Sequence, residues 1–244
     1  MVNEVDTPDF TRRVIIEYLG GFIGLEELAA RLGSIIPWDM RGNIVLAESF
    51  ETEETEWSLE ANGGGSAITR QTRRKHSGNW GLKCVVDDVN FALTRAEKYI
   101  TYSGNAKYAL LAMFCFDDTC RRIELAFDLY TGSRKHEGRL RYQRPTKTLS
   151  YMPLGGGYTD FETDLTLGTD TFIWYPFILV WDGEAEEYIK AIVAGVEYPL
   201  AGIPLHTDDN TDPSYAVIRA DCLELDDIGF TSYIDDIILA KNVP

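Results

Sequence analysis

The spacing of apolar residues changes character near residue 41. Before it, Leu25, Leu28, Ala29 and Leu32 fall on one face of a helix over Gly24–Leu32, and Gly33 supplies the stop. Phe10, Val14, Ile15 and Leu19 precede it and Gly20-Gly21 interrupts; Phe22, Ile23, Ile35, Ile36 and Trp38 add apolar surface that needs a place to dock. From Gly42 the period becomes two. Ile44–Leu46 opens a strand, and Gly81–Val86, Tyr108–Phe116 and Ile123–Tyr130 follow. Asp117–Arg122 reads as a hairpin loop between the last two. Gly138–Tyr142, Thr148–Met152 and Tyr158–Phe161 read as a meander. Phe172–Trp181 is the strongest β run, with Phe172 and Trp174 on one face and Tyr175, Phe177, Leu179 and Trp181 on the other. Pro176 lacks a ladder donor, which marks an edge or bulge. Tyr188–Val193 and Val196–Leu200 complete three antiparallel strands, His206–Ser214 reads as a polar loop, and Tyr215–Cys222 and Tyr233–Ala240 close the chain. Many short strands with glycine-rich corners predict an all-β, two-sheet antiparallel jelly-roll sandwich over 42–244, preceded by an N-terminal arm over 1–41 with a short helix. The arm either covers a sheet of its own sandwich or reaches a neighbouring subunit.

Length and composition agree. The 244 residues suffice for one large β domain with an extension, and 45% hydrophobic content argues against global disorder. The net charge of −16 would repel phosphate backbones, so nucleic acid is not an expected partner. No apolar run approaches the roughly 20 residues of a membrane span. The opening segment is acidic and polar, the reverse of a secretory signal. Cys84, Cys115, Cys120 and Cys222 match no zinc spacing; Cys115 and Cys120 either face each other across the hairpin or are buried free thiols.

Catalytic patterns are incomplete. His76, His136 and His206 fall in predicted turns without a nucleophile motif. Glu224-Leu-Asp-Asp-Ile-Gly229 begins a glycosidase strand but ends in glycine where an acid is required, and Glu124-Leu-Ala-Phe-Asp128 has a different spacing. Gly155-Gly-Gly157 lacks the lysine and helix of a phosphate loop. The expectation is a protein without enzymatic activity.

Glu48-Ser-Phe-Glu51, Trp57, His76-Ser-Gly-Asn-Trp-Gly-Leu-Lys83 and Tyr233-Ile-Asp-Asp-Ile-Ile-Leu239, in that order, resemble the jelly-roll of carbohydrate-binding modules and laminin-G-like domains. Gly24–Gly33 and Trp38–Asn43 are more loosely similar to the leader of tailed-phage virion structural proteins that carry such a module. The resemblance implies a capsid decoration or accessory particle component, made in the host cytoplasm and resident in the virion. Its arm would bind other capsid subunits through Phe22, Leu25, Leu28, Leu32, Ile35, Ile36 and Trp38, with homo-oligomerisation, a trimer among the options. The alternative is a glycan-binding module for host glycans. Its aromatic candidates are Trp174, Trp181, Tyr151 and Tyr158, for which core packing is the competing role. The resemblance also implies a structural Ca2+ held by Glu51, Asp235 and the Lys83 carbonyl; solvated turn acids are the competing reading.

Overall fold

A computed structural model describes residues 42–51, 56–101, 106–168, 173–224 and 226–244. The arm, its helix and its seven docking residues lie outside them. The described residues contain no helix. Sixteen strands form two antiparallel sheets. The first, sheet A, has the order β13 (Val196–Pro204), β12 (Glu187–Val193), β11 (Tyr175–Asp182), β6 (Lys107–Phe116), β16 (Phe230–Lys241), β4 (Gly81–Val86) and β3 (Ala67–Gln71). Its eighth strand, β1 (Asn43–Glu48), pairs with the second half of β16. Sheet B runs β10 (Thr159–Glu162), β9 (Thr148–Tyr151), β8 (Arg134–Gln143), β7 (Arg122–Tyr130), β15 (Tyr215–Leu223), β5 (Leu93–Ile100) and β2 (Ser58–Asn62). There β14 (His206–Asp209) pairs with the start of β8.

The first and last strands of the sandwich are ladder partners, with Asn43 opposite Lys241 and Glu48 opposite Ile237. The expected meander is β8-β9-β10, and the expected triplet is β11-β12-β13. Alternation supplies the core. Phe114, Phe116, Phe177, Leu179 and Trp181 from sheet A meet Leu125, Phe127, Leu140 and Tyr142 from sheet B. Phe127 stacks on Trp181 with ring centroids 3.6 Å apart. Opposite Phe127 stands Gly138, where a Cβ would lie 2.1 Å from the Phe127 ring. Only glycine leaves room for that stack.

Several local expectations change. Residues 117–121 join strands of opposite sheets, so the predicted hairpin loop is a crossover. Periodicity fixes which face a residue takes and not which sheet a strand joins. Accordingly Cys115 points to the outer face of sheet A while Cys120 enters the core, and all four cysteines are buried free thiols. Pro176 lies in an interior strand but only at its start, opposite Met113, and its carbonyl accepts from Ala194 just past the end of β12. The missing donor therefore falls where the neighbouring ladder has ended. His136 lies in β8 and His206 in β14 rather than in turns.

Candidate functional site

The outer face of sheet B is charged and aromatic. On β7, Ile123, Leu125, Phe127 and Leu129 point into the core, so Glu124, Ala126, Asp128 and Tyr130 point out. Register sets Asp221 beside Glu124, Arg219 beside Ala126 and Tyr215 beside Tyr130 on β15. On the other flank, β8 sets Arg141, Arg139, Glu137 and Lys135 beside Glu124, Ala126, Asp128 and Tyr130. The small Ala126 thus separates two arginines. Further out, β5 contributes Arg95, Glu97 and Tyr99.

These side chains form a lattice of alternating charge. Arg95 binds Asp221 with two 2.9 Å hydrogen bonds. Arg219 donates to Glu97 at 2.9 Å and also to Asp128. Arg139 Nη1 lies 2.7 Å from Asp128 Oδ1, and its Nη2 donates to Glu137 at 2.5 Å. Glu137 also accepts from Lys135 at 2.5 Å. Asp128 is fully buried, so its charge requires these partners. Burial alone would raise its pKa, but Arg139, Arg219 and Lys135 outweigh that and hold it below the ordinary aspartate range. Arg139 is raised despite burial, through Asp128, Glu124 and Glu137. Asp221 goes the other way: burial lifts it to about 6 and Arg95 offsets only part of that.

Tyrosines border the lattice. Tyr130 and Tyr215 stack with centroids 4.2 Å apart, and Tyr99 continues the row 5.9 Å from Tyr215. Tyr99 is 61% exposed and the other two are half-buried, so the row faces outward. Beyond the lattice, on the side of β9 and β10, Tyr158 donates to Glu124 at 2.7 Å and lies under the Arg141 guanidinium. Burial and then Glu124 raise the Tyr158 pKa, which keeps its hydroxyl protonated.

This arrangement suits binding. An ionised Asp128 has no proton to give, and Glu124 is engaged by Tyr158, Arg141 and Arg139. Glu124 and Asp128 do share a face, four residues apart, but Ala126 stands between them and Arg139 contacts both. Glu224, in the other incomplete pattern, is buried and accepts the Asp226 amide at 2.6 Å.

Of the four expected aromatics, only Tyr158 belongs to this face. Trp181 is 1% exposed in the core and cannot serve as a platform. Trp174 is 3% exposed and packs edge-on against His76 on the outer side of sheet A. Tyr151 points inward against Tyr188 and Phe161. For the two tryptophans the competing role, packing, is the one observed, since large apolar rings are what a sandwich buries. The Tyr99, Tyr215 and Tyr130 row escaped sequence reasoning because it joins three strands distant in the chain. The alternation of Glu124, Asp128 and Tyr130 on one face was its only visible trace.

The acids expected to hold Ca2+ accept backbone amides. Glu51 Oε1 accepts the Asn79 and Trp80 amides at 2.7 and 2.8 Å. Asp235 Oδ2 accepts the His76 and Ser77 amides at 2.8 and 3.2 Å. Together they hold the 76–80 loop to the seam between the first and last strands. Lys83 is an interior ladder residue between Tyr233 and Thr69. Burial and then Asp236 raise the Asp235 pKa well above the usual value. Three of these four carboxylate oxygens already accept N–H groups, Oδ1 of Asp235 from Asp236. Elsewhere Glu137, His206 and Asp208 bring donor atoms within 4.8 Å of one another, but Lys135 and Arg139 already neutralise Glu137.

No protein-family model matches the chain, and neither does any curated protein sequence. Among solved structures it resembles an endo-β-1,4-glucuronan lyase from the fungus Trichoderma reesei, at 10% identity and TM-score 0.55, over 81% of this chain and 95% of that one. The fold is a jelly-roll sandwich. The carbohydrate recognition domain of Emp46p in its potassium-bound form is similar at 9% identity and TM-score 0.49, over 76% and 88% of the chains. The CBM22-1 xylan-binding domain of Paenibacillus barcinonensis Xyn10C has 12% identity and TM-score 0.41, over 83% and 97%. At such identities the likeness shows the fold alone, and a jelly-roll serves many tasks.

Proposed function

We propose that the chain is a non-enzymatic glycan-binding module whose sugar platform is the row Tyr99, Tyr215 and Tyr130 on the outer face of sheet B. The single observation that carries this reading is the row itself: three outward tyrosines on neighbouring strands, two of them stacked at 4.2 Å, bordered by Arg219, Glu97 and Lys135. The exposed Tyr99 ring offers a face to the C–H face of a sugar, the stacked pair extends that apolar surface with its ring edges, and charged groups at the rim bind hydroxyls. The known proteins support it only through their fold.

The experiment is affinity electrophoresis of the whole protein through gels containing soluble polysaccharides. Tyr215→Ala and Tyr130→Ala each abolish retardation while the melting temperature stays within a few degrees of the parent. Unchanged retardation in both variants overturns the assignment. The particle-component reading stands second, because its motif lies in the arm. It is compatible with glycan binding, since display on a particle would put the tyrosine row in reach of host glycans.

A further inference from the structure

The outer face of sheet A is apolar across three adjacent strands. Leu111 sits at its centre, with Ile238 opposite on β16 and Ile178 opposite on β11. Met113, Val180 and Ala240 extend the patch, and all six side chains are between 0% and 3% exposed. Yet all sixteen described strands belong to the two sheets, whose inner faces pack on each other. Thus no described strand lies over this patch. Among the described residues, Trp174 shares the buried cluster with the patch and packs on His76. The 72–80 loop covers the Tyr233 end, with the Arg74 guanidinium 4.9 Å from the Tyr233 ring centre, and Val243 packs near Ala240. Burial stops at β1, where Ile44 is 48% exposed.

We propose that residues 1–41 of the same chain fold back over β16, β6 and β11 as a third layer. The proposal is independent of any glycan role. The chain arrives at the right place: Ile44 is the ladder partner of Ala240, and a Cβ on Gly42 would lie 2.8 Å from Val243. From there the arm has three strand spacings of about 4.8 Å to cross to reach β11. A helix over Gly24–Leu32 would reach about 14 Å along the patch. The chemistry also matches. In the sequence Leu25, Leu28 and Leu32 recur at helical spacing, and Phe22, Ile36 and Trp38 add apolar bulk. Covering one's own sheet also removes an apolar patch that would otherwise associate between molecules.

The test uses the full chain with benzoylphenylalanine in place of Lys190, and separately in place of Ile192. Both positions are half-buried on β12 at the margin of the patch, where substitution leaves the core intact. Equal amounts of 14N- and 15N-labelled protein are mixed, irradiated and digested. The expected result is cross-links to peptides from residues 10–38 of the same isotopic label, in a yield independent of protein concentration. Cross-links joining light to heavy chains, rising with concentration, would show a second copy on the face and overturn the proposal. Cross-links that omit residues 1–41 altogether overturn it as well.

Discussion

Tyr130 and Tyr215 lie parallel to within 14° on adjacent strands, 4.2 Å between ring centres, although 85 residues separate them in sequence. Cross-strand register alone brings them together, since each is the ladder partner of the other. The same register assembles the charge lattice beside them, so the stack and the lattice stand or fall as one face.

The lattice is therefore expected to be structural as well as functional. Arg139→Met removes a buried partner of the fully buried Asp128 and lowers stability by about 3 kcal/mol. The double variant Asp128→Leu with Arg139→Met recovers part of that loss, because it leaves no unpaired charge. Urea melts of the two single variants and the double variant measure the coupling.

Stability responds to pH in two opposing directions. The folded Asp221 titrates near 6, above its unfolded value, so the folded state holds a proton that the unfolded state has lost. Its contribution is complete below about pH 4 and disappears as pH rises to about 6, by at most roughly 3 kcal/mol. Asp128 is depressed, so its contribution is present at neutral pH and is lost as pH falls through its folded pKa. Asp221→Asn is expected to flatten the decline between pH 4 and 6 while leaving the acid-side loss in place. Melting temperatures across that range decide it; an unchanged slope in Asp221→Asn contradicts the assignment.

Gly138→Ala tests the core. The added methyl would meet a Phe127 ring that Trp181 stacks against from 3.6 Å, so neither ring has space to yield. A loss of about 3 kcal/mol is expected in thermal or urea unfolding. Gly155→Ala, where a Cβ would meet nothing within 4 Å, is the neutral control.

At the seam, Glu51 and Asp235 hold backbone amides of the 76–80 loop. Adding Ca2+ or a chelator is therefore expected to leave the melting temperature unchanged, whereas Asp235→Ala lowers it by several degrees by releasing the His76 and Ser77 amides. A calcium-dependent rise would show instead that a cation displaces those amides.

Much of the fold could be read from the chain. Period-two runs located β6, β7, β11 and β15, and Tyr188–Val193 and Val196–Leu200 anticipated β12 and β13. Sheet membership could not be read, because Asp117–Arg121 has the composition of a hairpin and the geometry of a crossover. Of the candidate site, Tyr158 and the alternation of Glu124, Asp128 and Tyr130 were legible. Its other members are single outward residues on β5, β7, β8 and β15, and no local pattern marks which outward faces will adjoin. The His76–Asp236 contact, 2.5 Å long across 160 residues, is hidden for the same reason.

The distribution of thiols turns the molecule into its own reporter. Cys84, Cys120 and Cys222 lie between the sheets, whereas Cys115 lies beneath the outer surface of β6, and all four are fully buried. Burial raises the pKa of Cys84 and Cys120, which suppresses their reactive thiolate. An alkylating reagent would therefore distinguish two openings by mass: modification of Cys115 alone would time the uncovering of the β6 exterior, and modification of the other three would time the parting of the layers.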